Sequence, residues 1–169
     1  MVALHYTAQY PSEVAGLALL GTGRSASHIT AARERMLGVA ASTRTNGIEL
    51  TAKNSSLGNF PSAEQRATPP EHIEEVRQAV AASNPEGYAR TCEMIMDLDH
   101  KDPDYSKVVC PAVFVAGDFD VISPVQRSED VSKLIKGPNW VEVVESGHQP
   151  LISAFEPTVA AIQKLLAKI

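Results

Sequence analysis

Three short, almost wholly apolar runs constrain the fold more than any other feature: Val14-Ala15-Gly16-Leu17-Ala18-Leu19-Leu20, Ala112-Val113-Phe114-Val115-Ala116 and Trp140-Val141-Glu142-Val143-Val144. A strand with one wet face alternates polar and apolar residues, whereas a strand covered on both faces need not. Runs of this kind belong to parallel sheets packed by helices. Helical patterning surrounds them. Ala3, Leu4, Thr7 and Ala8 share one face of a helix that Tyr10-Pro11 ends, because proline disfavours helical geometry in the residue before it. Helices are predicted over 124–135 and 150–168, the second with Val159, Ile162, Leu165 and Leu166 on one stripe. The expected class is α/β, with about three parallel strands and flanking helices.

The middle of the chain has a different character. Alanine-rich helical segments are predicted at 28–43, 45–53, 70–82 and 85–98, with Pro70 at a first turn and Asn54-Ser55-Ser56-Leu57-Gly58-Asn59 as loop. No further strand is convincing there. The expected organisation is an α/β core from 1–23 and 104–169, interrupted by a helical insertion at 24–103.

With 169 residues, 44% of them hydrophobic and 21% charged, one globular domain is the default. A net charge of −5, a pI near 5.5 and 5% aromatics provide neither a basic footprint nor a stacking platform for nucleic acid. No stretch is long and apolar enough to span a bilayer. The first residues show no secretory-signal pattern, and Cys92 and Cys110 form no Cys-x-x-Cys. A cytoplasmic chain with reduced thiols is expected.

Two strand ends carry the chemistry. Gly117-Asp118-Phe119-Asp120 closes the second apolar run and Gly147-His148 closes the third. An acid and a histidine on successive strands of a parallel sheet can meet at its carboxyl edge, where a carboxylate fixes an imidazole as general base. Asp120 is the preferred acid and His148 the base, with Asp118 as a turn former. Other candidates are weaker. Gly21-Thr22-Gly23-Arg24-Ser25-Ala26 matches Gly-x-Gly-x-x-Ala of dinucleotide-binding folds but lacks the second strand and its acid. Ser25 and Ser27 are not in a nucleophile elbow. Asp97, Asp99, His100, Asp102 and Asp104 do not fit a calcium loop, and the histidines lack zinc spacing. No cofactor and no metal is expected.

As an ordered set these residues resemble the α/β-hydrolase family, of the AB hydrolase-1 type that includes 3-oxoadipate enol-lactonases and esterases. Val2 to Pro11 resembles the helix after the nucleophile elbow, and Val14 to Gly21 the next strand. Gly117 to Asp120 with Ser123-Pro124 resembles the acid turn; Ser146-Gly147-His148-Gln149-Pro150 with Glu156-Pro157 resembles the histidine loop. The resemblance implies that 24–103 is a cap over a small ester or lactone substrate. It also implies that the chain is the C-terminal half of such a fold, beginning just past the serine, because no Gly-x-Ser-x-Gly occurs. The expectation is a hydrolase fragment with acid and base but no nucleophile, inactive alone. Strand 14–20, without its neighbour, would be a long apolar edge able to pair with another chain, and the isolated chain would be marginally stable. The alternatives are a non-catalytic binding or regulatory remnant using that edge and a nucleotide-binding domain using Gly21 to Ala26.

Overall fold

The structure, a computed structural model, describes residues 1–169. It contains three strands, β1 (Leu17–Leu20), β2 (Ala112–Gly117) and β3 (Asn139–Val144), in the order β1-β2-β3 and all parallel. Leu17 pairs with Ala112 and Ala112 with Asn139, so the three strands start level. Around them lie α1 (Val2–Gln9), α6 (Val125–Ser132), the single turn α7 (Pro150–Ser153) and α8 (Phe155–Leu166).

The unbroken apolar run of β2 follows from its place. Every residue of the strand is buried. Ala112 and Phe114 join Leu4 and Ala8 of α1, Leu17, Leu19, Val131 of α6 and Ile135 in one cluster. Val113 and Val115 join Val144, Ala154, Ala161 and Leu165 in a second. Successive residues of a strand point to opposite faces, so a central strand covered on both sides must be apolar throughout. β1 and β3 are the sheet edges, and their side chains are correspondingly mixed in burial.

The chain divides into two compact units. One comprises Met1–Arg24, Asn59–Ala67 and Asp102–Ile169; the other comprises Ser25–Gly58 and Thr68–Lys101. Residues 59–67, read with the helical middle from sequence, group with the strands because they hydrogen-bond to the loops after β2 and β3. The second unit is wholly helical: α2 (Thr30–Asn46), α3 (Ile48–Gly58), α4 (Pro70–Ala81) and α5 (Pro85–Ile95). Ala40, Ala89 and Cys92 form its small buried cluster, flanked by Met36, Val39 and Tyr88. Asn84 caps α5 by accepting the Gly87 N–H at 2.8 Å, with Pro85 in the first turn.

Several boundaries depart from the sequence reading. The first strand is 17–20 rather than 14–20, since a 3₁₀ turn occupies Pro11–Glu13 and β2 itself starts only after Pro111. The segment 54–58 is the last turn and a half of α3, not loop: Ser56 is buried and bonds back to Lys53 O at 2.9 Å. The break between α2 and α3 falls at Gly47, φ 86°, later than expected. The closing helix is split at Ala154, φ −139°. A continuous helix would drive the Pro157 ring into the carbonyl of Ser153, so the chain restarts with Pro157 in the first turn of α8.

Candidate active site

The carboxyl ends of all three strands meet at one point. The acid turn after β2 is closed by Asp120 N–H to Gly117 O, and the Asp120 side chain folds back into the turn. Its Oδ1 accepts the Ile122 N–H at 2.8 Å and the Ser123 N–H at 2.7 Å, ahead of α6. Its Oδ2 lies 2.8 Å from His148 Nδ1. Asp120 is 4% exposed. Burial, the largest single influence, pushes its pKa up, yet the His148 hydrogen bond and the two backbone N–H groups together hold the carboxyl below its ordinary value. The carboxylate is therefore ionised and acceptor-only, so the His148 Nδ1 that faces it is the donor of the pair. The His148 side chain keeps 27% of its surface exposed.

The third strand end supplies the space. Gly21 follows β1 with φ +55°, anchored by its N–H to Val115 O at 2.9 Å. A Cβ there would stand 3.0 Å from His148 Nδ1 and Cε1 and 3.4 Å from Asp120 Oδ2. A side chain at this position would strain the left-handed backbone and press on the pair.

Asp118 is engaged elsewhere. Arg66 grips it with two hydrogen bonds, Nη1 to Oδ1 at 2.9 Å and Nη2 to Oδ2 at 2.7 Å, and the Ser146 N–H donates to Oδ1 at 3.0 Å. Arg66 foremost holds the Asp118 carboxyl below the usual carboxylate range. On the histidine side, the His148 N–H donates to Asn59 O at 2.7 Å and Gln149 Nε2 to Asn59 Oδ1 at 2.6 Å. Sequence reading missed Asn59 and Arg66 as partners of the site. Neither carries a local signal, since the contacts join segments far apart in the chain.

No protein-family model matches the chain, and no curated protein is similar to it in sequence. Solved structures are similar. A thermophilic esterase from Thermogutta terrifontis superposes with a TM-score of 0.76 at 28% identity, over 99% of this chain and 61% of its own. The enol-lactonase from Burkholderia xenovorans LB400 gives 0.79 at 19% identity, over 97% and 60%. MenH from S. aureus gives 0.72 at 18% identity, over 91% and 59%. The chain carries part of an α/β-hydrolase fold. It spans about 60% of the length of these structures.

Within this partial α/β-hydrolase fold the remaining candidates take other roles. The Gly21–Arg24 loop does not lead straight into a helix, because α2 starts only at Thr30, and the next strand in the chain is β2. Its carbonyls are occupied: Thr22 O accepts from Ser128 Oγ at 2.9 Å and Arg24 O from Arg127 Nη2. The loop therefore has no helix start directly after it of the kind on which dinucleotide-binding folds seat a phosphate. Ser25 and Ser27 bond to each other at 3.1 Å. The acidic residues have partners within the fold: Asp97 accepts the Asp99 N–H, Asp102 the Arg24 Nε–H and Asp104 the Ser106 hydroxyl. No three His, Cys, Asp or Glu side chains are grouped to hold a metal ion. No helix of this α/β-hydrolase portion is long and apolar enough to cross a membrane.

Proposed function

We propose that Asp120 and His148 are the acid and base of a serine-type hydrolase acting on esters or lactones of small carboxylic acids, in the manner of an esterase or enol-lactonase. The observation that carries this reading is the 2.8 Å contact between His148 Nδ1 and a buried Asp120 carboxylate at the carboxyl edge of a parallel sheet. In that role Asp120 keeps the proton on Nδ1. His148 Nε2 takes the serine hydroxyl proton as the serine oxygen attacks the carbonyl carbon, and passes it to the departing alkoxide oxygen. It then deprotonates the water that releases the acid and regenerates the serine.

No Gly-x-Ser-x-Gly occurs in these 169 residues. The reading places the serine in sequence preceding α1, with this chain as the acid- and base-bearing part of the enzyme, inactive by itself. The similar esterase and enol-lactonase structures, which extend well beyond the part this chain covers, support that view. A cytoplasmic setting belongs to the same reading, in keeping with Cys92 and Cys110 as free, buried thiols.

The test uses p-nitrophenyl acetate. The 169-residue chain is expected to hydrolyse it no faster than its His148→Ala variant. The chain extended by in-frame coding sequence carrying a Gly-x-Ser-x-Gly is expected to turn over, and His148→Ala or Asp120→Asn in it to lower kcat by about ten-thousand-fold. Turnover of the extended chain that survives His148→Ala would sink the reading.

A further inference from the structure

The Asp120–His148 pair belongs to two loops, and a third segment, residues 59–67, is attached to both of them. At one end of this strap Asn59 takes the His148 backbone N–H with its carbonyl at 2.7 Å and the Gln149 side chain with its amide oxygen at 2.6 Å. The strap passes so close to Gly147 that a Cβ there would overlap the Asn59 carbonyl and stand 2.9 Å from Phe60 Cα. Only glycine allows this contact of main chain on main chain.

At the other end Arg66 forks onto Asp118 and lies over the Phe119 ring, 4.9 Å from its centroid. Asp118 in turn accepts the Ser146 N–H, while the Phe119 N–H donates to Ser146 O at 3.0 Å. The acid turn is thus tied to the histidine loop through one carboxylate that Arg66 both neutralises and orients. A bidentate guanidinium–carboxylate pair fixes direction as well as distance, which a lysine cannot reproduce.

We infer that Arg66 is a positioning residue for the Asp120–His148 pair, acting through Asp118 and Ser146 to hold the two loops at the separation that keeps His148 Nδ1 on the Asp120 carboxylate. Asn59 fixes the far side of the same loop. Near-ideal hydrogen-bond length between a base and its orienting acid depends on such outer supports, since a small error in either loop breaks the contact. Arg66 touches neither member of the pair. Its effect is expected in the hydrogen bond itself rather than only in stability. The charged groups bearing on this arrangement are Asp120, Asp118, Glu145, which acts on Arg66, and Arg127, on which Asp120 acts.

The inference rests on the acid and base reading for its catalytic meaning, but its test does not require turnover. ¹⁵N-histidine NMR of the 169-residue chain, held well below its melting temperature, is expected to show His148 protonated at Nδ1 with a slowly exchanging proton. Arg66→Met is expected to speed that exchange by about tenfold or more, the factor for a loss of about 1.4 kcal/mol in the bond, and to mix the two tautomers. Arg66→Lys is expected to restore part of the signal. Asp118→Asn, which keeps the shape of the acceptor and removes its charge, provides the same readout if Arg66→Met does not fold. Variants that melt earlier yet retain the wild-type Nδ1–H signal and tautomer would make Arg66 a stability tie only and overturn the inference. An extended enzyme without ester turnover but with the predicted NMR changes would overturn the hydrolase reading and leave the positioning role standing.

Discussion

Asp120 joins two opposing influences in one side chain. It is buried, which favours the neutral acid, and it accepts two backbone N–H groups and faces His148, which favour the carboxylate and prevail. Because its native pKa lies below the ordinary value of about 3.9, the stability it contributes is present above that value and is lost as pH falls through the native pKa. Asp118, held down foremost by Arg66, adds to the same window. Urea denaturation between about pH 2 and 6 is expected to show stability rising with pH, and Asp120→Asn to flatten part of that rise while lowering stability at neutral pH. An unchanged slope in the variant would mean that Asp120 is not held ionised by its partners. At this scale Asp120 and His148 were legible because each follows an apolar run and a glycine. Asn59 and Arg66 were not, since nothing in their neighbours' pattern announces a partner many residues away.

Among the elements, β2 carries the greatest structural weight. Phe114 is fully buried and packs into the cluster formed by α1, β1 and α6, so its loss leaves a cavity that backbone on both sides cannot easily fill. Phe114→Ala is expected to cost about 3–5 kcal/mol by chemical denaturation, a large part of the total of roughly 5–15 kcal/mol usual for a domain. A loss below about 1 kcal/mol would mean the core is not organised around this strand. The strands were readable because double-sided burial removes polar residues from the pattern itself. Helix limits were less so. Pro157 stood in plain view within the expected helix 150–168, yet the apolar stripe ran past it, and only the steric conflict with Ser153 decides where the chain restarts.

For the whole molecule, the sheet has two edges, and β1 is shorter than the apolar run suggested. Its four residues leave Leu17 and Leu19 buried and Ala18 exposed. An edge of this kind offers unpaired N–H and C=O groups to another strand. We propose association through β1, so that sedimentation velocity of the 169-residue chain shows a mass rising with concentration and Ala18→Lys restores a monomer. A wild-type chain that stays monomeric across that range would remove the proposal. The amino-acid sequence by itself determined the layer type, the strand and helix succession and the strand ends at which Asp120 and His148 meet, because burial and periodicity leave local marks. Only the tertiary structure decided that residues 59–67 lie with the sheet and that Arg66 holds Asp118. It also decided that Gly21 lies against His148 and Asp120. Those facts depend on which distant segments meet, and the chemistry of a single residue does not record its eventual neighbours.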